Sequence, residues 1–181
     1  MNVGLWFTED SYQGPTLPCA GFMDVGGSTV GAKSALRLLR LYFKGVPAST
    51  DIAQRVREHA QTNTYIQIAN EPNNPFEGAW TLDAYTSFFK EVRYLCPRPV
   101  LLAWAGMSPA GDFASWYAPA RAAGADIVVA HVYGRTLSQL QDVLGRVLAA
   151  TSLPVWIGEI NYGPQAGLNI DINAWARDVL R

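Results

Sequence analysis

From residue 65 onward the chain alternates short apolar runs with helical patterns, and this alternation restricts the fold more than any other feature. Four runs have the composition of strands: 65–69, 100–104, 127–133 and 155–160. Between and after them, apolar residues recur at helical spacing over 82–95, 137–148 and 172–180. Strands that alternate with helices in this way form right-handed βαβ units around a parallel sheet. We therefore expect an α/β fold.

The first third of the chain continues this pattern less regularly. Residues 2–7, 21–25 and 36–43 are strand candidates, and Ser49 or Thr50 can cap a helix. The total is seven strands without a clear eighth. A chain of 181 residues with no internal repeat and no linker is expected to form one domain. These sequence patterns do not indicate whether the sheet closes into a barrel.

The composition disfavours several classes of protein. Only 16% of the residues are charged and the net charge is −1, whereas nucleic-acid-binding proteins normally have a basic surface. No run of about 18 uninterrupted apolar residues occurs, so we expect no membrane span. The N-terminal segment has no basic region, so we expect no secretory signal, which leaves a cytoplasmic location and a secreted protein with its signal removed both open. Cys19 and Cys96 form no metal-binding pattern.

Two glutamates lie at the ends of predicted strands. Glu71 follows the run 65–69 within an Asn-Glu-Pro tripeptide, and Glu159 lies near the end of the run 155–160. In a parallel α/β barrel the carboxyl ends of the strands surround the catalytic mouth, so both side chains would enter one cleft. Two carboxylates that flank a glycosidic bond are the groups that its hydrolysis requires. The pattern therefore indicates a glycosidase.

Together these motifs resemble the retaining glycoside hydrolases of clan A. The tripeptide around Glu71, after the fourth strand, is similar to the clan's acid/base motif, and Gly-Glu159 is similar to its seventh-strand nucleophile motif. The segment His131-Val-Tyr133 resembles the sixth-strand His-x-Tyr of those enzymes. The resemblance implies a TIM (β/α)8-type barrel, with residues 1–181 as a single catalytic domain. At this length the barrel would be compact and without a complete eighth strand.

The resemblance also implies a mechanism. Glu71 would act as acid/base and Glu159 as nucleophile in a double displacement on the β-glycosidic bonds of a poly- or oligosaccharide, with no metal or cofactor. Their carboxyl groups would then lie about 5–5.5 Å apart. Glu71 would need a raised pKa, which the negative charge of Glu159 helps to produce. Carbohydrate would be the partner.

The remaining site candidates would position the nucleophile or bind sugar. By resemblance, Tyr133 and His131 would keep Glu159 oriented and ionised, and Asn70 would bind the sugar 2-hydroxyl. Three further residues are substrate-binding candidates. Arg40, by the same resemblance, would lie beside the nucleophile. Trp80 in the loop after Glu71 would be a sugar platform, and Trp6 lies at the end of the first strand.

Three other functions are compatible with such a barrel. The main alternative is a non-catalytic carbohydrate-binding protein on a degenerate barrel, which the presence of both glutamates disfavours. Another carboxylate-using enzyme, such as an isomerase or a lyase, would commonly use a Lys or a metal cluster, and Lys33, Lys44 and Lys90 do not lie at the expected strand ends. A scaffold domain would be supported only by exposed Trp side chains and an incomplete barrel.

Overall fold

The computed structural model describes residues 4–8, 21–25, 37–43, 45–62, 64–134 and 136–162. Within these ranges seven strands form one closed barrel in the order in which they occur along the chain. They are Gly4–Thr8 (β1), Gly21–Val25 (β2), Arg37–Leu41 (β3), Thr64–Ile68 (β4), Leu101–Trp104 (β5), Ile127–Gly134 (β6) and Val155–Tyr162 (β7). All neighbouring strands are parallel. The predicted α/β barrel with seven strands is confirmed.

The barrel closes between its first and last strands. Gly4 and Leu5 of β1 pair with Trp156 and Ile157 of β7. An eighth strand is therefore not needed to complete the hydrogen-bonded ring formed by the described strands. The incomplete (β/α)8 barrel expected from the sequence takes the form of a seven-stranded ring.

Four helices follow the strands in the described part of the chain. They are Ser49–His59 (α1) after β3, Leu82–Leu95 (α2) after β4, the 3₁₀ helix Phe113–Tyr117 after β5, and Leu137–Ala150 (α3) after β6. Thr81 and Thr136 cap α2 and α3 by accepting hydrogen bonds from backbone N–H groups three residues later. The predicted cap of α1 is wrong, because Ala48 precedes that helix without a side-chain cap. The helix predicted over 172–180 and Cys19 lie outside the described residues.

Apolar side chains fill two layers, one on each face of the barrel wall. Inside the ring, the residues of β3 to β7 that point inward pack together: Leu38, Tyr65, Ala103, Ile127, Val129 and Trp156. Residues on the other face, such as Ile66, Trp104 and Val128, pack against α1, α2 and α3. This alternation is the period of two that a strand imposes on its side chains. No helix among the described residues is long and apolar enough to cross a membrane.

A bulge in β7 decides which way Glu159 points. Ala130 of β6 pairs with Ile157, but the next residue, His131, pairs with Glu159, so that Gly158 is one extra residue. An extra residue reverses the alternation of side chains beyond it. Without the bulge, a strand that points Trp156 into the barrel would point residue 159 away from it. The Gly-Glu sequence therefore places the carboxylate inside the mouth.

Arg93 connects α2 to the amino-terminal ends of β5 and β6. Its Nη2 pairs with the carboxylate of Asp126, its Nε donates to the Gly124 carbonyl at 2.8 Å, and its Nη1 donates to the Val100 carbonyl at 2.7 Å. Asp126 also accepts the backbone N–H of Leu102 at 2.8 Å. One half-buried ion pair thus joins the end of α2 to the starts of β5 and β6.

We expect Arg93→Ala to lower the free energy of unfolding by about 3 kcal/mol, because it leaves the half-buried Asp126 carboxylate without its main partner. Arg98 contacts the other oxygen of Asp126 at 3.0 Å but is 76% exposed, which makes it a matched control. Arg98→Ala should cost less than about 1 kcal/mol. Urea unfolding of both variants measures the difference, and equal losses would contradict the role given to Arg93.

Candidate active site

Glu71 and Glu159 meet at the carboxyl-terminal mouth of the barrel. Glu71 follows β4, Glu159 lies on β7, and His131 of β6 lies between them. One carboxylate oxygen of each glutamate and one ring nitrogen of His131 all lie within 4.8 Å of one another. The structure therefore brings together the two acids that the sequence analysis selected.

A strained turn aims Glu71 at this cleft. Ala69 and Glu71 have positive φ angles of 71° and 38°, a region that residues other than glycine rarely adopt. The backbone N–H of Glu71 donates to the Gly106 carbonyl at 3.0 Å, which attaches the turn to the end of β5. Each such conformation costs about 1–3 kcal/mol and is commonly found at functional sites.

Donors surround the buried carboxylate of Glu71. Its Oε1 accepts from His131 Nδ1 at 2.8 Å and from the Tyr133 hydroxyl at 3.2 Å, and its Oε2 accepts from Asn74 Nδ2 at 2.8 Å. Burial alone raises the pKa of Glu71, but these hydrogen bonds and the charge of His131 outweigh it, so the pKa is lowered. The raised pKa expected from the sequence is therefore wrong for the free protein.

Glu159 is held ionised by its own partners. The guanidinium of Arg40 forms an ion pair with Oε1, the Tyr133 hydroxyl donates to Oε2, and His131 Nε2 lies 3.7 Å from Oε1. Burial tends to raise the pKa of Glu159, yet the charges of His131 and Arg40 and the hydrogen bonds lower it overall. The Glu159 carboxylate is therefore ionised, and its side chain is 32% exposed.

Tyr133 and His131 connect the two acids. Burial, followed by the two neighbouring carboxylates, raises the pKa of Tyr133 strongly, so its hydroxyl remains a donor. His131 is fully buried and directs Nδ1 at Glu71, while its Nε2 lies 3.4 Å from Arg40 Nη2. The sequence analysis expected His131 to hold Glu159, whereas its short hydrogen bond is to Glu71.

The charge arrangement does not favour a metal ion in this cleft. Glu71, His131 and Glu159 offer three ligand atoms, but Arg40 already pairs with Glu159 and approaches His131. A cation bound to these atoms would lie against a guanidinium that keeps its charge at all ordinary pH values. Arg40 supplies the positive charge that two adjacent carboxylates need.

Two residues that the sequence analysis missed contribute to the site. A Cβ atom on Gly106 would lie 2.2 Å from His131 Cδ2, so only glycine leaves room for the imidazole. Asn74, three residues after Glu71, holds the Oε2 of that glutamate. The Asn-Asn pair directly after the Asn-Glu-Pro tripeptide was the available signal for Asn74, whereas the role of Gly106 depends on a contact between β5 and β6.

The other sequence candidates have different outcomes. The prediction that Trp80 is a sugar platform is wrong: Trp80 is 7% exposed, and its ring packs on Phe88 and Tyr85 with centroid distances of 5.0 and 5.9 Å. Asn70 is half-buried beside Glu71. Trp6 lies inside β1 rather than at its end, because the strand extends to Thr8, and its predicted role stays a prediction.

The described strands thus form a closed parallel barrel with two carboxylates facing each other at its mouth. The sequence matches no known protein-family model, and no curated protein matches it. Solved structures with a similar fold include several GH128 proteins.

A GH128 (subgroup I) endo-β-1,3-glucanase from Amycolatopsis mediterranei in complex with laminaritriose has a TM-score of 0.57 at 18% identity; the match covers 82% of this chain and 65% of that one. A GH128 (subgroup VII) oligosaccharide-binding protein from Trichoderma gamsii has a TM-score of 0.63 at 13% identity, covering 89% and 69%. A subgroup II endo-β-1,3-glucanase from Sorangium cellulosum has a TM-score of 0.59 at 15% identity, covering 81% and 68%. At these identities the likeness concerns the fold. The chain spans slightly less than two thirds of the length of the Amycolatopsis protein.

Gly106→Ala should move the His131 ring, break its hydrogen bond to Glu71 and cost about 1–3 kcal/mol of stability, since the added methyl overlaps the imidazole. The chain has two histidines, so the NMR signals of the His131 ring report the displacement directly. Gly145 lies in α3 with open space around its Cα, and Gly145→Ala should instead stabilise by about 0.5–1 kcal/mol. An unchanged His131 signal in Gly106→Ala would contradict the packing argument.

Asn74→Ala should raise the pKa of Glu71, because it removes a donor that favours the charged form. The lowered pKa makes ionised Glu71 stabilising above the pKa of the unfolded chain, and this contribution is lost as the pH falls through the folded value. The variant should therefore lose part of that contribution. The ¹³C signal of the Glu71 carboxyl, titrated by NMR and assigned with Glu71→Gln, measures the shift.

Asn73→Ala is the matched control for this titration. Asn73 exchanges two hydrogen bonds with the backbone of Ser108, at 2.8 and 2.9 Å, and its amide does not bond Glu71. Its removal should leave the pKa of Glu71 nearly unchanged. A pKa that is unchanged or lower in Asn74→Ala would show that this amide does not stabilise the ionised carboxylate.

Proposed function

We propose that this chain is a retaining glycoside hydrolase that cleaves β-glycosidic bonds in a β-glucan. The approach of the Glu71 and Glu159 carboxylates to within 4.8 Å carries the proposal. Retaining enzymes hold their two carboxyl groups about 5–5.5 Å apart, whereas inverting enzymes need about 6.5–9.5 Å to admit a water molecule. The spacing favours direct attack by one carboxylate on the anomeric carbon.

Glu159 is the nucleophile in this proposal. Its ion pair with Arg40 and its hydrogen bond from Tyr133 keep it charged and hold the carboxylate in one orientation. Attack on the anomeric carbon expels the leaving sugar and produces a covalent glycosyl-enzyme. The Tyr133 hydroxyl stays in place to bind the carboxylate again when water releases the product.

Glu71 is the acid/base. In the first step it protonates the departing oxygen, and in the second its ionised form takes a proton from the attacking water. Its lowered pKa in the free protein suits the second step and leaves little of the protonated form at neutral pH. We therefore expect glucan hydrolysis to be fastest at acidic pH.

The similar structures support a β-glucan as substrate. The subgroup I glucanase is in complex with laminaritriose, a β-1,3-linked glucose trimer, and the subgroup II protein is also an endo-β-1,3-glucanase. We propose a β-1,3-glucan as the substrate and residues 1–181 as one catalytic domain. Asn70 and Trp6 would contact the sugar beside the two glutamates. No metal or cofactor takes part in this mechanism.

The second candidate is a carbohydrate-binding protein without activity. Two observations favour it: the lowered pKa of Glu71, which disfavours the protonated acid, and the similarity in fold to the Trichoderma oligosaccharide-binding protein. The same network would then serve to bind sugar hydroxyls. The presence of both carboxylates at bond-cleaving distance supports the hydrolase more strongly.

Two single variants, Glu159→Ala and Glu71→Ala, separate the roles. Glu159→Ala should reduce kcat for every substrate by about 10⁴-fold or more, because it removes the nucleophile. Glu71→Ala should reduce glucan hydrolysis by about 10²–10⁴-fold but affect formation of the glycosyl-enzyme from dinitrophenyl β-glycosides much less, since that leaving group needs no proton.

Added azide then identifies each residue by the anomer it produces. In Glu71→Ala, azide attacks the covalent intermediate and should give a β-glycosyl azide. In Glu159→Ala, azide replaces the nucleophile and should give the α-anomer. Proton NMR of the two products is the measurement, and exchanged anomers would reverse the assignment. A wild-type protein that binds laminari-oligosaccharides without cleaving them would establish the binding protein instead.

A further inference from the structure

Phe76 is an exposed aromatic ring on a firmly folded loop. Its side chain is 85% exposed, yet the loop that follows Glu71 is closed by several backbone hydrogen bonds. The Asn74 carbonyl accepts the N–H groups of Glu77 and Gly78 at 3.0 and 3.1 Å, and Trp80 N–H donates to the Pro72 carbonyl at 3.0 Å in the same loop. The backbone that carries the ring is therefore ordered before a ligand binds, which lowers the entropic cost of binding.

Asn74 links this ring to the acid/base carboxylate. Its Nδ2 donates to Glu71 Oε2 at 2.8 Å, while its Oδ1 accepts the backbone N–H of Phe76 at 3.0 Å. A single side chain thus fixes the backbone beneath the ring and the carboxylate at the same time.

The buried Trp80 cannot provide an aromatic surface for sugar, but Phe76 has neighbours suited to it. Tyr42 follows β3 at the same end of the barrel and is 40% exposed. The pKa of its hydroxyl is raised by Glu77, the residue after Phe76. Two exposed rings and a carboxylate therefore lie on adjacent loops. Aromatic faces that pack on the apolar face of a sugar, together with polar groups for its hydroxyls, are the usual composition of such a site.

We propose that Phe76 forms a glucan-binding subsite on the leaving-group side of the cleavage point. This inference rests on the proposed function, in which Glu71 protonates the departing oxygen. A proton donor must lie beside the sugar that leaves, and Phe76 belongs to the same loop as that donor. The occupant is the reducing-end portion of a β-1,3-glucan, or an acceptor sugar in the reverse direction.

Binding of laminarihexaose tests the Phe76 subsite separately from catalysis. In a Glu159→Gln background, which lacks the nucleophile, calorimetry should show that Phe76→Ala raises the dissociation constant for laminarihexaose about 3- to 10-fold. Phe76→Tyr keeps a ring and should restore affinity to within about twofold of the parent. The matched control is Tyr94→Ala: Tyr94 is 84% exposed, but it lies near the carboxyl end of α2, at the opposite end of the barrel.

Transfer of the glycosyl group to an acceptor sugar tests whether Phe76 lies on the leaving-group side of the cleavage point. With a dinitrophenyl β-laminaribioside as donor and laminaribiose as acceptor, Phe76→Ala should lower the ratio of transfer to hydrolysis by a similar factor, while Tyr94→Ala should not change it. Unchanged hexaose affinity in Phe76→Ala would overturn the inference. Weaker affinity with an unchanged transfer ratio would place the ring on the other side and also overturn it.

Failure of the proposed function would look different from failure of this inference. If the parent protein and all variants fail to bind laminarihexaose, a β-1,3-glucan is not the ligand, and both proposals fall for that substrate. If the parent binds and cleaves but the Phe76 ring has no effect, the hydrolase stands and only the subsite is lost.

Discussion

The repulsion between two neighbouring carboxylates is the constraint that the mouth of the barrel satisfies. At a separation of about 5 Å, two negative charges repel by roughly 3 kcal/mol in a protein environment with an effective dielectric constant of about 20. Arg40 offsets this through Glu159, while His131 and Asn74 donate to Glu71 and Tyr133 donates between the two acids. These donors come from β3, from the turn after β4 and from β6, so the two charges can lie together only when the barrel has formed. The acid pair and the fold therefore depend on each other.

Two departures from regular strand geometry bring these charges together. The Gly158 bulge turns Glu159 into the barrel, and the positive φ angles at Ala69 and Glu71 end β4 with its carboxylate in the cleft. Both cost local stability. The packing around them, together with the Arg93–Asp126 ion pair at the other end, supplies a rigid frame that can hold these conformations. The parts of the molecule that are least regular are those at which the chemistry is proposed.

The protonation of the two glutamates fits the second step of the proposed double displacement better than the first. Both glutamates have lowered pKa values in the free protein, so a sugar bound at the proposed site would enter a cleft that holds two negative charges and one guanidinium. Exclusion of water and loss of the donors that bind Glu71 would each raise its pKa toward the protonated form. One of the proteins with a similar fold, from Trichoderma gamsii, is an oligosaccharide-binding protein. In the proposed function, the contacts of Glu71 would decide between binding and cleavage.

The sequence by itself determined the parallel α/β architecture, the seven strands and the two acids, because strand and helix periods and a carboxylate after a strand are local patterns. The closure between β1 and β7 could not be read from it, since strand pairing over that separation leaves no local signature. Trp80 was misplaced for a related reason: a loop position says nothing about burial, which the packing of α2 against that loop decides. The pKa of Glu71 was expected to be raised because the motifs indicate only the negative charge of Glu159 nearby. The hydrogen bonds from Asn74 and His131, which lower this pKa, could not be predicted from the motifs. Whether a side chain is buried, charged or aimed at a partner depends on atoms distant in sequence, and only the tertiary structure brings those atoms together.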